Sequence, residues 1–211
     1  GNRTYMRQLV LFATKCFAII VLYYAIPFSI EADYILKIWL GVVPEYTANL
    51  LRLVFCSTLF LVMANPLEVS AQASGNIKKF QFYTSLLQIV SLAFVWRMLY
   101  YGLNVYHIFA FIVFLNFLLL LVQYFCTKLI TQIQPLEYFT NVVVRILLAT
   151  VISSSILTYV SLQIEPSFRR LCLTCLLSLI VTTFCALIFG FSKQELRILL
   201  SLIQSFIKKK K

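Results

Sequence analysis

Acidic side chains are scarce in this chain: Asp and Glu together number seven, and charged residues of both signs make up only 12% of the sequence. A soluble domain carries about a quarter charged residues, so half that density over 211 residues leaves too little polar surface to face water. A water-exposed globule is excluded. Histidine is scarcer still, because His107 stands alone. With one imidazole and no carboxylate expected at mid-membrane, the usual acid–base and nucleophilic constellations cannot be assembled, so neither an enzyme nor a cofactor is expected. The cysteines at 16, 56, 126, 172, 175 and 185 fall in or beside apolar runs and read as small hydrophobes, not as a disulfide framework. Cys172 and Cys175 spell C-x-x-C, yet no second Cys or His pair completes a zinc site, and no metal is expected. Strand-like alternation is nearly absent, which excludes a transmembrane barrel. No low-complexity linker or internal repeat divides the chain.

What is present is hydrophobic length, at 62% apolar residues. Crossing a hydrocarbon layer of about 30 Å takes about 20 apolar residues in a helix. Six runs qualify, near 9–29, 48–70, 82–101, 104–127, 141–162 and 171–190. Backbone groups left unpaired in lipid are costly, so the expected fold is an all-α integral membrane protein with six transmembrane helices. Arg3, Arg7 and Lys15 before the first run give it the look of a secretory signal. Ile30, Glu31 and Ala32 lack the small residues of a cleavage site, however, and five more runs follow, so it reads as a retained helix.

Lysine and arginine set the orientation, because basic loops stay cytoplasmic. One side collects Arg3, Arg7, Lys78, Lys79, Lys128, Lys193, Arg197 and the lysines at 208–211, eleven in all, against three, Lys37, Arg169 and Arg170, on the other. Both termini, and the polar break "AQASGNIKKFQ" at 71–81, are therefore expected in the cytoplasm. The net charge of +11 is scattered over helix ends without a reading motif, so anionic membrane lipids are the expected partner and nucleic acid is not. The remaining basic residues, Lys15, Arg52, Arg97 and Arg145, lie inside the runs. Each is about four to six residues, roughly 6 to 9 Å, from a run end, and snorkelling is the favoured reading over lining a cavity.

Local landmarks add detail. The loop "IEADYILKIWLGVVPEY" holds three acids, Glu31, Asp33 and Glu45, which read as a solvated surface, and its centre at 34–39 reads either as an interfacial helix or as the first helix continuing. Gly41 and Pro44 end it. Asn116, Gln88, Ser153, Ser154 and Ser155 reach deep and are expected to bond between helices. Asn65 and Pro66 mark a candidate kink. "SKQE" at 192–195 fits a capping box opening a basic amphipathic tail helix over 192–211. Leu196, Leu199, Leu200, Ile203, Phe206 and Ile207 form its apolar stripe, and the final lysines lie over lipid headgroups.

Three stretches, "ADYILKIWLGVVPEY" at 32–46, "PLEVSAQASGNIKKFQ" at 66–81 and "FGFSKQELR" at 189–197, occur in this order and together resemble the C-terminal part of bacterial polysaccharide biosynthesis proteins of the O-antigen flippase type. These belong to the multidrug, oligosaccharidyl-lipid and polysaccharide exporter superfamily. The resemblance covers essentially the whole chain. It implies a transporter in the bacterial cytoplasmic (inner) membrane that moves an undecaprenyl-pyrophosphate-linked oligosaccharide across the bilayer by alternating access, with two helical bundles around a cavity. The six spans then look like the last six of fourteen. Since Gly1 is not an initiator, the expectation is a fragment whose partners are the missing N-terminal helices of the same protein. Cavities in this family are commonly cationic, which makes Lys15 and Arg52 the first substrate-cavity candidates, with Arg97 and Arg145 behind them. A multidrug or cation antiporter of the same superfamily, which should carry membrane carboxylates, and a non-transporting membrane scaffold are the alternatives.

Overall fold

The computed structural model describes residues 3–75, 77–192 and 195, and among them every regular element is helical. The helices are α1 (Arg3–Ile30), α2 (Ala32–Leu40), α3 (Thr47–Ala73), α4 (Ile77–Tyr100), α5 (Val105–Thr131), α6 (Pro135–Tyr138), α7 (Arg145–Leu162) and α8 (Phe168–Cys185). A π-helical segment, Phe139–Val144, joins α6 to α7, and a second, Ala186–Gly190, extends α8. Six stretches are long and apolar enough to cross a membrane: Tyr5–Ile30, Thr47–Ala73, Ile77–Tyr100, Val105–Thr131, Pro135–Leu162 and Phe168–Gly190. The protein is an all-α, six-span membrane protein. Several helices outrun their hydropathy, because polar residues continue the helical hydrogen bonding beyond the apolar window. The break expected over 71–81 shortens accordingly. α3 runs to Ala73, α4 starts at Ile77, and Gly75 turns the chain at φ +73, a conformation that a Cβ would strain.

Alternate crossings give the bundle two faces. The basic face holds the start of α1, the α3–α4 turn, the α5–α6 link and Ser192. The opposite face holds α2, the α4–α5 turn and the α7–α8 loop. α2 is a helix of its own, separated from α1 by a bend at Glu31 and ended by Gly41 at φ +70. Asn104 starts α5 by accepting from the Tyr106 N–H at 2.9 Å.

α1 is the central column, packed against α3, α5, α7 and α8; α3 packs against α5, and α4 hangs on the outside of α5. Leu22 and Ile26 of α1 meet Met63 and Leu67 of α3, Leu120 and Tyr124 of α5, and Leu157 of α7 in one buried cluster. α7 and α8 pack against each other and against α1. Ala149, Ser153, Leu157 and Ser161 on α7, and Thr174, Ser178, Thr182 and Ala186 on α8 and its extension, are buried at four-residue spacing, and all but Leu157 are small enough to let helices approach closely. Ser178 Oγ donates to the Tyr23 carbonyl at 3.1 Å, tying α8 to α1. Asn116 behaves as expected, donating to Ser57 Oγ across α5 and α3 at 2.5 Å. Two other deep polar residues do not bond between helices: Ser154 and Ser155 return to the Val151 carbonyl of their own helix. Gln88 lies on the exposed side of α4, and Ser153 Oγ is buried without a partner among the described residues. Pro66 sits inside α3, buried, and the helix continues seven residues to Ala73.

The capping box is present: Glu195 N–H donates to Ser192 Oγ at 3.3 Å, and Ser192 N–H donates back to the Glu195 carboxylate at 2.6 Å. The remainder of the amphipathic tail expected over 192–211 lies outside the described residues.

Candidate functional site

At the opposite face, Ser167 begins α8 by accepting from the Arg170 N–H at 3.3 Å, and that cap turns the Arg170 side chain inward. Its guanidinium donates to Glu31 Oε2 at 3.1 and 2.7 Å and to the carbonyls of Ser161 and Ile164 at 3.4 and 3.1 Å. Glu31 is fully buried, and its Oε1 has no partner among the described residues. This corrects the reading of the acidic loop as a solvated surface at Glu31 alone, since Asp33 and Glu45 are exposed. A carboxylate at the end of α1 is drawn into the bundle because α8 supplies a cation there. Arg52 completes the layer, donating to the Ser29 carbonyl at 3.0 Å, to Asn49 at 2.8 Å and to Asp33 at 2.8 Å.

These side chains border a cleft of 660 Å³ lined by Ser29, Arg52, Ser161, Glu165 and Arg170 among others. Below it, a groove of 320 Å³ runs between α1, α3, α5 and α7, walled by Leu22, Phe55, Leu59, Phe117 and Ile146. Ser29, Ile30 and Arg52 line both. The cleft is of mixed polar and apolar lining, the groove is almost wholly apolar, and Arg52 borders both.

A second cluster lies toward the basic face. Lys15 is ten residues along its span, about 15 Å at the helical rise, and only 1% exposed. Its ammonium donates to both oxygens of Glu195, at 2.9 and 2.8 Å. Snorkelling therefore does not describe Lys15, whose head group is enclosed by protein. Burial pushes the Glu195 carboxyl up, but the hydrogen bond from Lys15, those from Ser192 and the Lys15 charge outweigh it and hold the group below the ordinary carboxylate value. Arg145 is half-buried on α7, and its side chain makes no hydrogen bond or ion pair with the described residues. The π-helical segment Ala186–Gly190 ends just ahead of Ser192, so the Ser192–Glu195 arm of this cluster follows a widened helical turn, a geometry frequent at functional sites. Nearby, Arg7 Nε donates to Glu137 at 3.0 Å and pins the start of α1 to α6.

Arg97 stands apart. It is exposed on α4, donates to the Tyr101 hydroxyl at 2.5 Å and lies 4.6 Å above that ring, in a belt with Trp96 and Tyr100. Of the four basic residues singled out from sequence, Lys15 pairs with Glu195, Arg52 borders the cleft on the far side of the bundle, Arg145 is half-buried on α7 apart from both, and Arg97 is exposed on α4. Sequence reasoning missed Glu31 and Arg170. A serine cap placing one arginine of an adjacent pair in the first turn of a span was the available signal. It also read Glu195 as a cap alone, with nothing in the spacing to link it to a lysine 180 positions earlier. Among the described residues no three His, Cys, Asp or Glu side chains gather as a metal site. Comparison of the chain with family models, curated proteins and solved structures gives no match.

Proposed function

We propose that this protein takes part in moving a lipid-linked oligosaccharide across the bacterial cytoplasmic membrane, as the resemblance to O-antigen flippases implies, together with further helices of the same transporter. The observation that carries the reading is the adjoining cleft and groove at the opposite face, which share Arg52. A lipid-linked sugar has an apolar tail, an anionic pyrophosphate and a polar head. The 320 Å³ groove between α1, α3, α5 and α7 offers apolar walls, the 660 Å³ cleft adds polar groups such as Ser29, Gln163 and Glu165 to its apolar ones, and Arg52 borders both. A guanidinium at that junction suits a phosphate through charge-assisted hydrogen bonds, with the tail below it and the sugars above. In this reading the basic face is cytoplasmic and the cleft opens to the outside, in keeping with the distribution of lysine and arginine. The cation antiporter alternative gains some support from the buried Glu31, but its pairing with Arg170 removes the free carboxylate that a proton or cation would need.

The test is selective retention of a polyprenyl-pyrophosphate oligosaccharide. The chain in neutral nanodiscs should hold that lipid in preference to the matching uncharged polyprenol, and Arg52→Gln should erase the preference. Equal retention of the charged and uncharged lipids by the unaltered chain would sink the reading.

A further inference from the structure

Gln88 is the twelfth of the twenty-four residues of α4, about 17 Å from either end at the helical rise, and so lies at mid-membrane. Its side chain is exposed and has no hydrogen-bond partner among the described residues. Hydrocarbon offers no water to a primary amide, so a lipid-facing glutamine at that depth is unfavourable until another helix supplies both a donor and an acceptor. Gln81, Ser85, Gln88, Leu92, Trp96 and Leu99 recur at three- and four-residue steps and form one stripe along the helix. Five of the six are exposed and Ser85 is half-buried, accepting from Gln81 Nε2 at 3.3 Å within the stripe. α3 and α5 cover another side of α4, where Phe80 and Thr84 are buried and the Phe94 ring lies 6.2 Å from that of Phe111 on α5. Of the six spans α4 is the least enclosed, with 6% of its apolar window buried against 22% or more in the others.

We propose that this stripe is the interface of a homodimer, in which α4 packs against α4 of a second copy and the two Gln88 side chains hydrogen-bond to each other. Two properties select a second copy over any other cover. Copies inserted in the same orientation are related by a two-fold axis along the membrane normal, so a residue beside that axis meets its own equivalent at its own depth. A foreign helix would need a polar group at the matching level. A primary amide also carries both a donor and an acceptor, so two glutamines satisfy each other with N–H to O=C bonds in both directions. Around that pair Leu92 and Leu99 add apolar contact, and Ser85 is small enough to let the helices approach closely. The contact leaves the Arg52 cleft and the groove beside it open, because α4 lines neither. It does not rest on the transport reading, so each can fail without the other.

The experiment mixes donor- and acceptor-labelled copies of the full chain in phosphatidylcholine vesicles and follows energy transfer as the protein is diluted in lipid. Transfer in the unaltered chain should fall with dilution as a dimer gives way to monomers. Gln88→Leu, which suits lipid, should weaken association about tenfold through loss of the reciprocal bonds, while Gln88→Asn, which keeps the amide, retains much of it. Ile180→Ala, at an exposed position on α8, should leave it unchanged. Copper-catalysed cross-linking reads the position separately. Gln88→Cys should raise the yield of disulfide-linked dimer above that of the native cysteines, and Val90→Cys, exposed on the other side of the helix, should not. A chain that stays monomeric at every dilution overturns the proposal, whatever else then covers α4. Association of Gln88→Leu equal to that of the unaltered chain, or equal cross-linking at positions 88 and 90, overturns it as well by moving the contact to another face. If Gln88→Leu does not fold, the cross-linking contrast decides alone.

Discussion

The two charged layers of this bundle are built on opposite plans. At the face with α2, two arginines meet two carboxylates, and the layer grades from enclosed to open: Glu31 and Arg170 are 0% and 14% exposed, Asp33 and Arg52 are 76% and 39%. Toward the basic face, Lys15 and Glu195 are 1% and 12% exposed, a single pair that is enclosed on both sides. Each layer has one enclosed pair, and only the layer at α2 continues into a pair that water reaches. Buried ion pairs are seldom a net source of stability, so the enclosed pairs act mainly by holding elements in register, α8 against the end of α1 in one layer and the chain after α8 against α1 in the other.

The sharpest way to break this comparison is Glu195→Gln. Glutamine also serves in a capping box, so the substitution leaves the cap and removes only the charge opposite Lys15. A buried ammonium without its partner should lower stability by about 3 kcal/mol, read as a reduced thermal midpoint in micelles. Lys15→Met combined with Glu195→Gln should recover most of the loss, since both charges then vanish together. A single Glu195→Gln variant as stable as the unaltered chain would mean that Lys15 is solvated after all.

At the other layer, Glu31→Gln should cost about 2 kcal/mol, less than the Lys15 case because Arg170 keeps the Ser161 and Ile164 carbonyls as acceptors. The same denaturation experiment checks the order. A larger loss at Glu31 than at Glu195 reverses the contrast between the layers.

Acid separates the layers in a third way. The Glu195 carboxyl is held below its ordinary value of 4.5, so its contribution to stability is complete above that pH and is lost as pH falls through the lower, folded-state value. Stability should therefore decline on acidification from near pH 4.5 downward, and Lys15→Met should flatten that decline by removing the first of the influences that depress the group. Identical acid profiles for the unaltered chain and Lys15→Met would remove the linkage.

How far these layers were legible beforehand follows from how each is specified. The six spans are written in local composition, since twenty apolar residues announce a crossing whatever they pack against, and the Ser192–Glu195 cap is written in four adjacent residues. Asn116 was legible as a polar residue in need of a partner, though not that Ser57 would be the partner. The ion pairs were not legible, because each joins residues far apart in the chain, 139 positions for Glu31 with Arg170 and 180 for Lys15 with Glu195, and such pairing depends on which helices become neighbours. Depth misled as well. Snorkelling was inferred from distance to a run end, but α1 and the α6–α7 span extend past the apolar windows, and neighbouring helices enclose what lipid alone would have left exposed.

The smallest expected effect is at Arg52, and it sharpens the comparison because function and stability part there. Its three hydrogen bonds look substantial, yet the side chain is 39% exposed and its partner Asp33 is 76% exposed, so water competes for every charge in the pair. Surface pairs of this kind contribute about 0.5 kcal/mol, and Arg52→Ala and Asp33→Ala should each shift the thermal midpoint only slightly, with little coupling in a double-mutant cycle. Retention of a polyprenyl-pyrophosphate lipid should nevertheless fall in Arg52→Ala and not in Asp33→Ala, which frees the guanidinium without removing it. If Asp33→Ala loses the lipid as completely as Arg52→Ala, then Arg52 acts only by holding α2 against α3, and it is not the group that binds the phosphate.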